Sequence, residues 1–435
     1  MKHLKRTDKK IWILFLLALL LRLIPALWLS SPPTDDAQNY HEIALNVAHG
    51  EGFSWQGKLT AFREPLLPYL SGLIYSVFGE DPRWVYAFQS ILSALTVVFV
   101  FYLSHSLLKN DKAAWFAAIV TAVYPNFILY SQFFLTETLT MFLLIFFVWT
   151  LVKALQTKQN KRFILAGVLL GLLILTKAAF LFFIPFLILY FIIFYWRQWK
   201  LPFVKGLALL LVFSLLLVGI WTIRNYTIFH ELIPVVNRGG TALFYGVYIP
   251  YNNMYVYDGQ YDPVEKEIMG DEKDPARLDA RFYQAAKNYV LEHPIASFFF
   301  YLKKMAIMWY GPADAIGYPL IWFTGSAQIL YEKPILEAVF SDARATLTIF
   351  IYVGLYWVVL LLAIYALWQK RKNKNVWLLL WPVIYGTLFY AIVLVTARYK
   401  EPFLPFMFIL AGYGWVKQSD IIQKIGLLLH SKKGN

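Results

Sequence analysis

The stretch that decides the fold is IWILFLLALLLRLIPALWLS, residues 11–30, which is apolar along almost its whole length. A run of about 20 apolar residues is long enough to cross a lipid bilayer as a helix. The run lacks the small-residue cleavage site of a secretory signal, so it predicts a permanent membrane-spanning helix. Arg22 lies inside this run and is expected to pair with another group or to extend towards the headgroups.

Further apolar runs follow along the chain, and most of them reach the length of a membrane span. They occupy residues 84–108, 113–130, 134–152, 163–176, 178–196, 203–223, 345–368, 376–396 and 402–416. The sequence therefore predicts an all-α polytopic membrane protein with about ten membrane-spanning helices, within a range of about nine to thirteen.

The composition agrees with a membrane protein. Of the 435 residues, 59% are hydrophobic and 15% are charged, whereas soluble domains are about 25% charged. The aromatic share of 19% suits membrane interfaces, where Trp and Tyr concentrate. The chain has no cysteine, which excludes disulfides and thiolate metal sites.

The positive charge follows the predicted topology. With the N-terminus inside, the inner segments are 1–10, 109–112, 153–162, 197–205, 369–375 and 417–435. They hold 22 Lys and Arg residues but only three acidic residues, Asp8, Asp111 and Asp420. This is the positive-inside bias, so both termini are expected in the cytoplasm and the protein in the plasma (inner) membrane. The net charge of +14 is thus explained without nucleic acid as a partner.

Two outer connections are long, and functional residues concentrate in such loops. The first runs from 31 to 83 and the second from 224 to 344. We therefore expect three parts: an N-terminal module 1–223 that includes the first loop, a large extracytoplasmic loop 224–344 after the seventh helix, and a C-terminal part 345–435.

Apolar residues recur at helical spacing in both loops. In the first loop they predict two interfacial helices, over residues 37–47 and 66–77, with Gly50, Gly52 and Gly79 after them. In the second loop, Gly239-Gly240 and the stretch Tyr245–Tyr261 predict turns and short extended pieces. A solvated helix is expected over Asp274–Glu292, and an interfacial or partly inserted helix over Pro294–Tyr310. Whether Ile316–Leu330 dips into the membrane stays open.

Ionisable residues gather at the outer ends of the predicted helices. They are Asp35, Asp36, Arg63, Glu64, Glu137, Lys177, Arg224, Arg238 and Arg398. Charges at membrane depth are costly and usually face a cavity or a partner. Carboxylates and cations that meet at one level suit a site where an acid or base acts near a bound phosphate.

Several motifs resemble those of GT-C fold glycosyltransferases, above all the protein O-mannosyltransferases and the lipid A aminoarabinose transferases. The motifs are PTDDAQNYHEIA (33–44), GEGF (50–53), FREPLLPY (62–69), TETL (136–139), IRNY (223–226), NRGG (237–240) and ARY (397–399). Each motif alone is weak, but their order on this topology is fairly specific. The stretch EPLLP stands where the family has a Pro-Pro-Gly-Tyr-Pro sequence, so this chain departs from the family pattern there by an added carboxylate and a missing glycine.

The resemblance implies an inverting transfer from a polyprenyl-phosphate-linked sugar to an extracytoplasmic lipid, glycan or protein. By position Asp35 is the general base, with Asp36 and Glu137 as further catalytic candidates. Arg63, Lys177, Arg224, Arg238 and Arg398 are candidates for binding the donor phosphate, because Arg and Lys neutralise phosphate charge. The candidates for substrate binding are Tyr40, Glu64 and Tyr399. No metal ligands are assigned, and a divalent metal ion is the one cofactor that stays open.

Simpler roles are possible for the same residues. Asp35, Asp36 and Glu137 could cap helices, and Arg63, Lys177 and Arg398 could anchor the protein in the interface. His41 and His49 lack the neighbours that a metal site needs. The alternative functions are a multi-pass transporter or flippase, which usually shows internal repeats, and an O-antigen-type polymerase or ligase.

The charge distribution makes a topology prediction. Because the chain has no cysteine, single cysteines introduced at Lys158 and at Asp271 can be labelled without background. A membrane-impermeant thiol reagent added outside the cell should label the cysteine at 271 and leave the cysteine at 158 unmodified. Outside labelling at 158 would contradict the predicted orientation.

Overall fold

Long apolar helices dominate the computed structural model, which describes residues 2–28, 33–198, 200–251, 263–272, 274–311, 340 and 342–431. The α-helices are α1 (Lys2–Trp28), α2 (Asp36–Ala48), α3 (Leu66–Phe78), α4 (Pro82–Leu108), α5 (Asp111–Val123), α6 (Pro125–Leu129), α7 (Glu137–Thr157), α8 (Asn160–Thr176), α9 (Phe183–Tyr195), α10 (Leu201–Phe229), α11 (Gly239–Val247), α12 (Pro263–Met269), α13 (Pro275–Glu292), α14 (Pro294–Trp309), α15 (Ala343–Lys370), α16 (Lys374–Ile392) and α17 (Leu404–Ser431). Short 3₁₀ helices are Tyr130–Gln132, Ala178–Leu181, Trp196–Gln198, Ile249–Tyr251 and Ala397–Phe403. The all-α fold class is confirmed.

Seven helices in the described part of the chain are long and apolar enough to cross a membrane. They are α1 from Lys9, α4, α7, α9 with its preceding 3₁₀ turn, α10, α15 and α16. Helices α5 and α6 add an eighth span if a pair bent by 54° counts as one. The chain is thus an integral membrane protein. The count of about ten is not confirmed, because the two shortest apolar runs, 163–176 and 402–416, form helices α8 and α17 that are not among these spans.

The bend between α5 and α6 is held by the charge inside the first span. Pro125 follows the end of α5 and lacks an N–H group, so the last carbonyls of α5 need other donors. Arg22 donates to the carbonyls of Thr121, at 3.0 Å, and Ala122, at 2.8 Å, and its Nε donates to the hydroxyl of Ser93 at 2.7 Å. Arg22 is completely buried, and it joins α1, α4 and α5 at one point.

Helices α8 and α10 approach each other closely at two glycines. A Cβ atom at Gly167 would lie 2.4 Å from the carbonyl oxygen of Leu210, and one at Gly171 would lie 2.9 Å from that of Ser214. Small residues at i and i+4 let two helix backbones meet in a membrane. The spacing Gly167–Gly171 therefore serves helix packing in this fold.

The first outer loop contains the two helices that its apolar spacing predicts, α2 and α3. A chain reversal after α2 uses Gly50 and Gly52, whose φ values of 79° and 73° favour glycine. A small hairpin follows, in which β1 (Ser54–Trp55) pairs antiparallel with β2 (Lys58–Leu59). The helical spacing in the sequence does not indicate this hairpin.

The second outer loop confirms the helices over Asp274–Glu292 and Pro294–Tyr310, which are α13 and α14. The expectation of turns and extended pieces is wrong at Gly239-Gly240 and at the start of the stretch from Tyr245, because α11 covers Gly239–Val247. The physical reason lies at the helix start, where the Asp279 carboxylate accepts from the backbone N–H groups of Gly240, at 2.9 Å, and Thr241, at 2.8 Å. The stretches 252–261 and Ile316–Leu330 lie outside the described residues.

The close approach of α8 and α10 can be tested with a matched pair of glycines. Gly219 lies in α10 and has no atom within 4 Å of an added Cβ, so Gly219→Ala isolates the gain in helix propensity of about 1 kcal/mol. Gly167→Ala should gain the same propensity but lose about 1–3 kcal/mol to overpacking. We expect a lower melting temperature in detergent for Gly167→Ala than for Gly219→Ala. Equal melting temperatures would show that the two helices do not meet at Gly167.

Candidate active site

An acidic residue at the start of α2 binds two arginines from distant parts of the chain. The Asp36 carboxylate accepts hydrogen bonds from Arg63 at 2.6 Å and from Arg398 at 2.7 Å, one on each oxygen. Burial alone raises the pKa of the Asp36 carboxyl, but the two guanidinium groups outweigh it and hold that pKa well below its usual range. Asp36 is therefore an anion that fixes the two cations.

Arg63 is held from several sides. The same NH2 group that binds Asp36 also donates to the side-chain oxygen of Asn39 at 2.5 Å. Its guanidinium lies over the rings of Tyr40, at 5.1 Å, and Phe62, at 5.0 Å. Asp36, Asn39 and Tyr40 share one face of α2, because residues three and four apart are neighbours on a helix. This spacing is the signal that could have identified Asn39, which the sequence analysis missed.

A second carboxylate joins the remaining cation to the group. Glu137 begins α7 and is only 6% exposed, and one of its oxygens lies 3.7 Å from Nε of Arg398 and 3.7 Å from Nζ of Lys177. Lys177 also donates to the hydroxyl of Thr136 at 3.3 Å and lies 5.0 Å from the ring centre of Tyr399. Lys177 follows the last residue of α8 and has an extended backbone, which ends α8 before the next 3₁₀ helix begins.

We call Asp36, Arg63, Glu137, Lys177 and Arg398 the charge cluster. Its members come from α2, the loop before α3, the start of α7, the end of α8 and the 3₁₀ helix after α16. Three groups in it are buried and have no hydrogen-bond partner among the described residues, namely Nε of Arg63, Nε of Arg398 and Oε2 of Glu137. Buried polar groups are rarely left in this state, so the cluster has capacity for a further polar partner.

Asp35 differs from its neighbour Asp36 in its exposure, its partners and its backbone conformation. It is exposed, and no hydrogen bond or ion pair of its side chain is found within the described residues. Its φ of 52° and ψ of −124° are strained for a residue with a side chain. Such strain costs about 1–3 kcal/mol and tends to occur at functional sites. Asp35 also makes no side-chain hydrogen bond to α2, so it is not a conventional capping residue.

Glu64 and Tyr40 bind each other next to the charge cluster. The Tyr40 hydroxyl donates to one oxygen of Glu64 at 2.7 Å, and the backbone N–H of Ala178 donates to the other at 3.2 Å. Glu64 thereby connects α2 to the residue that follows Lys177. Tyr399 stacks on Tyr390 with ring centres 4.6 Å apart. The substrate-binding roles of Tyr40, Glu64 and Tyr399 stay predictions.

Two of the five candidate phosphate ligands lie outside the charge cluster. Arg224 sits on α10 and donates to the backbone carbonyls of Thr60, at 2.8 Å, and Phe53, at 3.2 Å. These bonds hold the hairpin of the first loop and occupy much of the guanidinium. Arg238 lies 4.3 Å from the ring centre of Phe62, the ring over which Arg63 also lies.

No group of three or more His, Asp or Glu side chains that could hold a metal ion occurs among the described residues. His41 bonds to the Tyr75 hydroxyl at 2.8 Å, and His49 pairs with Glu80 at 2.7 Å. These two histidines thus have separate partners.

Comparison with protein families supports the resemblance that the motifs suggest. The family model of dolichyl-phosphate-mannose-protein mannosyltransferase matches residues 63–221. This range includes Arg63, Glu137 and Lys177 of the charge cluster. No curated protein is similar enough in sequence to be a match.

Solved structures are similar to this chain at low sequence identity, and those with a TM-score above 0.5 share its fold. The oligosaccharyltransferase of Archaeoglobus fulgidus, solved with Zn and sulfate, has a TM-score of 0.56 at 16% identity, covering 97% of this chain and 51% of that one. AglB from the same organism, solved with an inhibitory peptide and a dolichol-phosphate, has a TM-score of 0.55 at 15% identity, with 98% and 51% covered. ArnT from Cupriavidus metallidurans, bound to undecaprenyl phosphate, has a TM-score of 0.45 at 15% identity, with 93% and 77% covered.

The chain spans about half the length of the archaeal oligosaccharyltransferase, so the likeness concerns the membrane fold. Nearly the whole chain takes part in it, from the first span to the last helices. The chain has the GT-C fold of membrane glycosyltransferases, and its resemblance to that class is confirmed.

Proposed function

We propose that this chain is a membrane glycosyltransferase that transfers a sugar from a polyprenyl-phosphate donor to an extracytoplasmic lipid, glycan or protein. The observation that carries the proposal is the charge cluster, in which three cations from distant segments meet at two carboxylates. The family match over 63–221 supports a glycosyl transfer. A dolichol-phosphate in the archaeal structure supports a lipid phosphate as the kind of ligand that this fold binds.

The cations suit the leaving group of this reaction. A polyprenyl-phosphate sugar carries one negative charge on its phosphodiester, and the departing polyprenyl phosphate carries a second. Positive groups placed where charge develops stabilise the transition state more than the substrate. Arg63 and Arg398 each have a buried Nε that makes no hydrogen bond within the described part of the chain, so each has a donor left for a phosphate while it still holds Asp36.

Asp35 is the better general base of the two adjacent carboxylates. The arginines lower the pKa of Asp36 so far that it is a weak proton acceptor. Asp35 is exposed and unpaired among the described residues, so an acceptor hydroxyl can reach it. Its neighbour in sequence binds the cations, and therefore the base and the phosphate site lie close together.

In the proposed step one proton moves to Asp35, and one bond at the anomeric carbon replaces another. Asp35 takes the proton of the acceptor hydroxyl while the hydroxyl oxygen forms a bond to the anomeric carbon. The bond from that carbon to the phosphate oxygen breaks, and its electron pair leaves with the polyprenyl phosphate. Attack from the face opposite the phosphate inverts the anomeric centre. Asp35 and the charge cluster then act on opposite faces of the sugar.

The roles of the two aspartates can be separated by their amides. General-base catalysis typically contributes about 10²–10⁴-fold in rate, so Asp35→Asn should lose at least about 100-fold in turnover and keep its binding of polyprenyl phosphate. Asp36→Asn removes the anion between Arg63 and Arg398, so it should weaken that binding. Turnover is measured with purified protein and radiolabelled polyprenyl-phosphate sugars.

Melting temperature serves as the control for folding in both variants. If Asp35→Asn keeps more than about a tenth of the wild-type turnover, which is more than loss of a general base allows, the base is Asp36 or Glu64. A wild-type protein that binds polyprenyl phosphate but transfers no sugar from any donor would support the transporter or the polymerase alternative.

Arg63 should matter for binding the lipid phosphate. Loss of a buried partner of a charged group costs about 2–5 kcal/mol, so Arg63→Ala should raise the Kd for polyprenyl phosphate by roughly 30-fold or more. Arg63→Lys keeps the positive charge but lacks the planar guanidinium, so its Kd should lie between those of the wild type and Arg63→Ala. Arg83→Ala is the matched control, because Arg83 lies in the same loop, is 55% exposed and pairs with Asp81. Equal losses for Arg63→Ala and Arg83→Ala would rule out a specific phosphate contact.

A further inference from the structure

Two more charged side chains lie buried directly after Arg398, and the proposed reaction gives them no role. Lys400 is 0% exposed and Glu401 is 2% exposed. Both belong to the 3₁₀ helix Ala397–Phe403, which also carries Arg398 and Tyr399. Burying a charge is costly unless the charge is paired or hydrogen-bonded. The partners of these two side chains therefore show which contacts hold the segment in place.

Glu401 is bound by a residue of the bent span. The side-chain amide of Asn126 donates to Oε1 of Glu401 at 2.9 Å, and Asn126 is itself 1% exposed. Asn126 is the second residue of α6, directly after Pro125, where the α5–α6 pair bends by 54°. The hydrogen bond between Asn126 and Glu401 therefore lies directly after the bend.

Lys400 strengthens the same segment from within. Its Nζ donates to the carbonyl of Ala397 at 2.9 Å and lies 5.7 Å from the ring centre of Tyr356 on α15. The segment is thus fixed by a bond within its own turn and by a bond to α6. Glu401 lies one 3₁₀ turn after Arg398, since this helix has about three residues per turn.

We propose that Asn126 and Glu401 form a positioning pair that sets where the Arg398 guanidinium lies in the charge cluster. The inference rests on the proposed function, because Arg398 is assigned there to the donor phosphate. The path is short: Asn126 holds Glu401, Glu401 fixes the 3₁₀ turn, and the turn aims Arg398 at Asp36, 2.7 Å away, and at Glu137, 3.7 Å away. Asn126 and Glu401 are buried outside the charge cluster and bond to each other, so both would act on Arg398 as positioning residues.

The positioning role can be tested by exchanging the amide at position 126 and the carboxylate at position 401. Asn126→Asp replaces the amide donor with a second buried carboxylate. The Kd is measured at alkaline pH, where the two carboxylates do not share a proton, so their repulsion should displace the turn that carries Arg398. We expect its Kd for polyprenyl phosphate to rise about tenfold, by analogy with metal sites, where losing the hydrogen-bond partner of a ligand costs at least about that much in affinity. The double variant Asn126→Asp/Glu401→Gln restores one amide and one carboxylate in exchanged positions. Its Kd should return to within about threefold of wild type.

Asn110→Asp is the matched control. It introduces the same substitution at the other end of the α5–α6 pair, where Asn110 caps α5 through the N–H of Ala113 at 2.9 Å. Asp caps a helix about as well as Asn, so this variant should bind like wild type. If Asn126→Asp does not fold, Glu401→Asp is measured instead, because its shorter side chain loses the reach to Asn126 but keeps the charge. It too should raise the Kd.

The outcomes separate this inference from the proposed function. Unchanged binding by a folded Asn126→Asp or Glu401→Asp, or a folded double variant that does not recover, would overturn the positioning role. A lower melting temperature with an unchanged Kd would do the same, since it shows a structural role only. Arg398→Ala is measured alongside. If Arg398→Ala binds polyprenyl phosphate like wild type, the phosphate site of the proposed function fails; if it binds weakly and Asn126→Asp does not, only the positioning role fails.

Discussion

The bidentate use of the Asp36 carboxylate is the interaction on which the rest of the outer surface depends. Its two oxygens bind Arg63 and Arg398, whose positions in the chain lie 27 and 362 residues away. The first outer loop is thereby joined to the connection before the last helix. Arg398 extends the link to Glu137, which also pairs with Lys177. One small group of charges thus joins five segments of the chain.

Buried polar contacts of the same kind hold the framework behind this group. Arg22 supplies donors to the carbonyls at the end of α5, and Lys304 donates to the carbonyl of Gly246 at 2.6 Å and to that of Val393 where α16 has ended. In an apolar environment a carbonyl without a donor is costly. A cation that reaches several carbonyls therefore allows a helix to bend or stop inside the protein. Asn126 and the segment of Arg398 directly follow these breaks in the chain.

Much of this architecture can be predicted from the sequence, because apolar length and helical spacing determine spans and interfacial helices locally. The runs 84–108 and 345–368, for example, correspond closely to α4 and α15. The span count was harder to predict, since short runs such as 163–176 depend on how neighbouring helices cover them. The start of α11 depends on Asp279, which is 39 residues from Gly240. The sequence also indicated which charges lie near helix ends, but it could not show that Arg224 binds loop carbonyls while Arg398 binds a carboxylate.

The same limit applies to the adjacent pair Asp35 and Asp36. Local sequence makes them equivalent, and only the fold brings two arginines to Asp36 and leaves Asp35 exposed. The difference has a chemical purpose in the proposed reaction. Three cations brought together without anions would repel one another and would separate in the empty enzyme. Asp36 and Glu137 hold them assembled before the donor arrives, so little reorganisation is needed when charge develops on the phosphate. Because Asp36 is committed to this task, a second carboxylate is needed to accept the proton, and Asp35 is next to it in the chain.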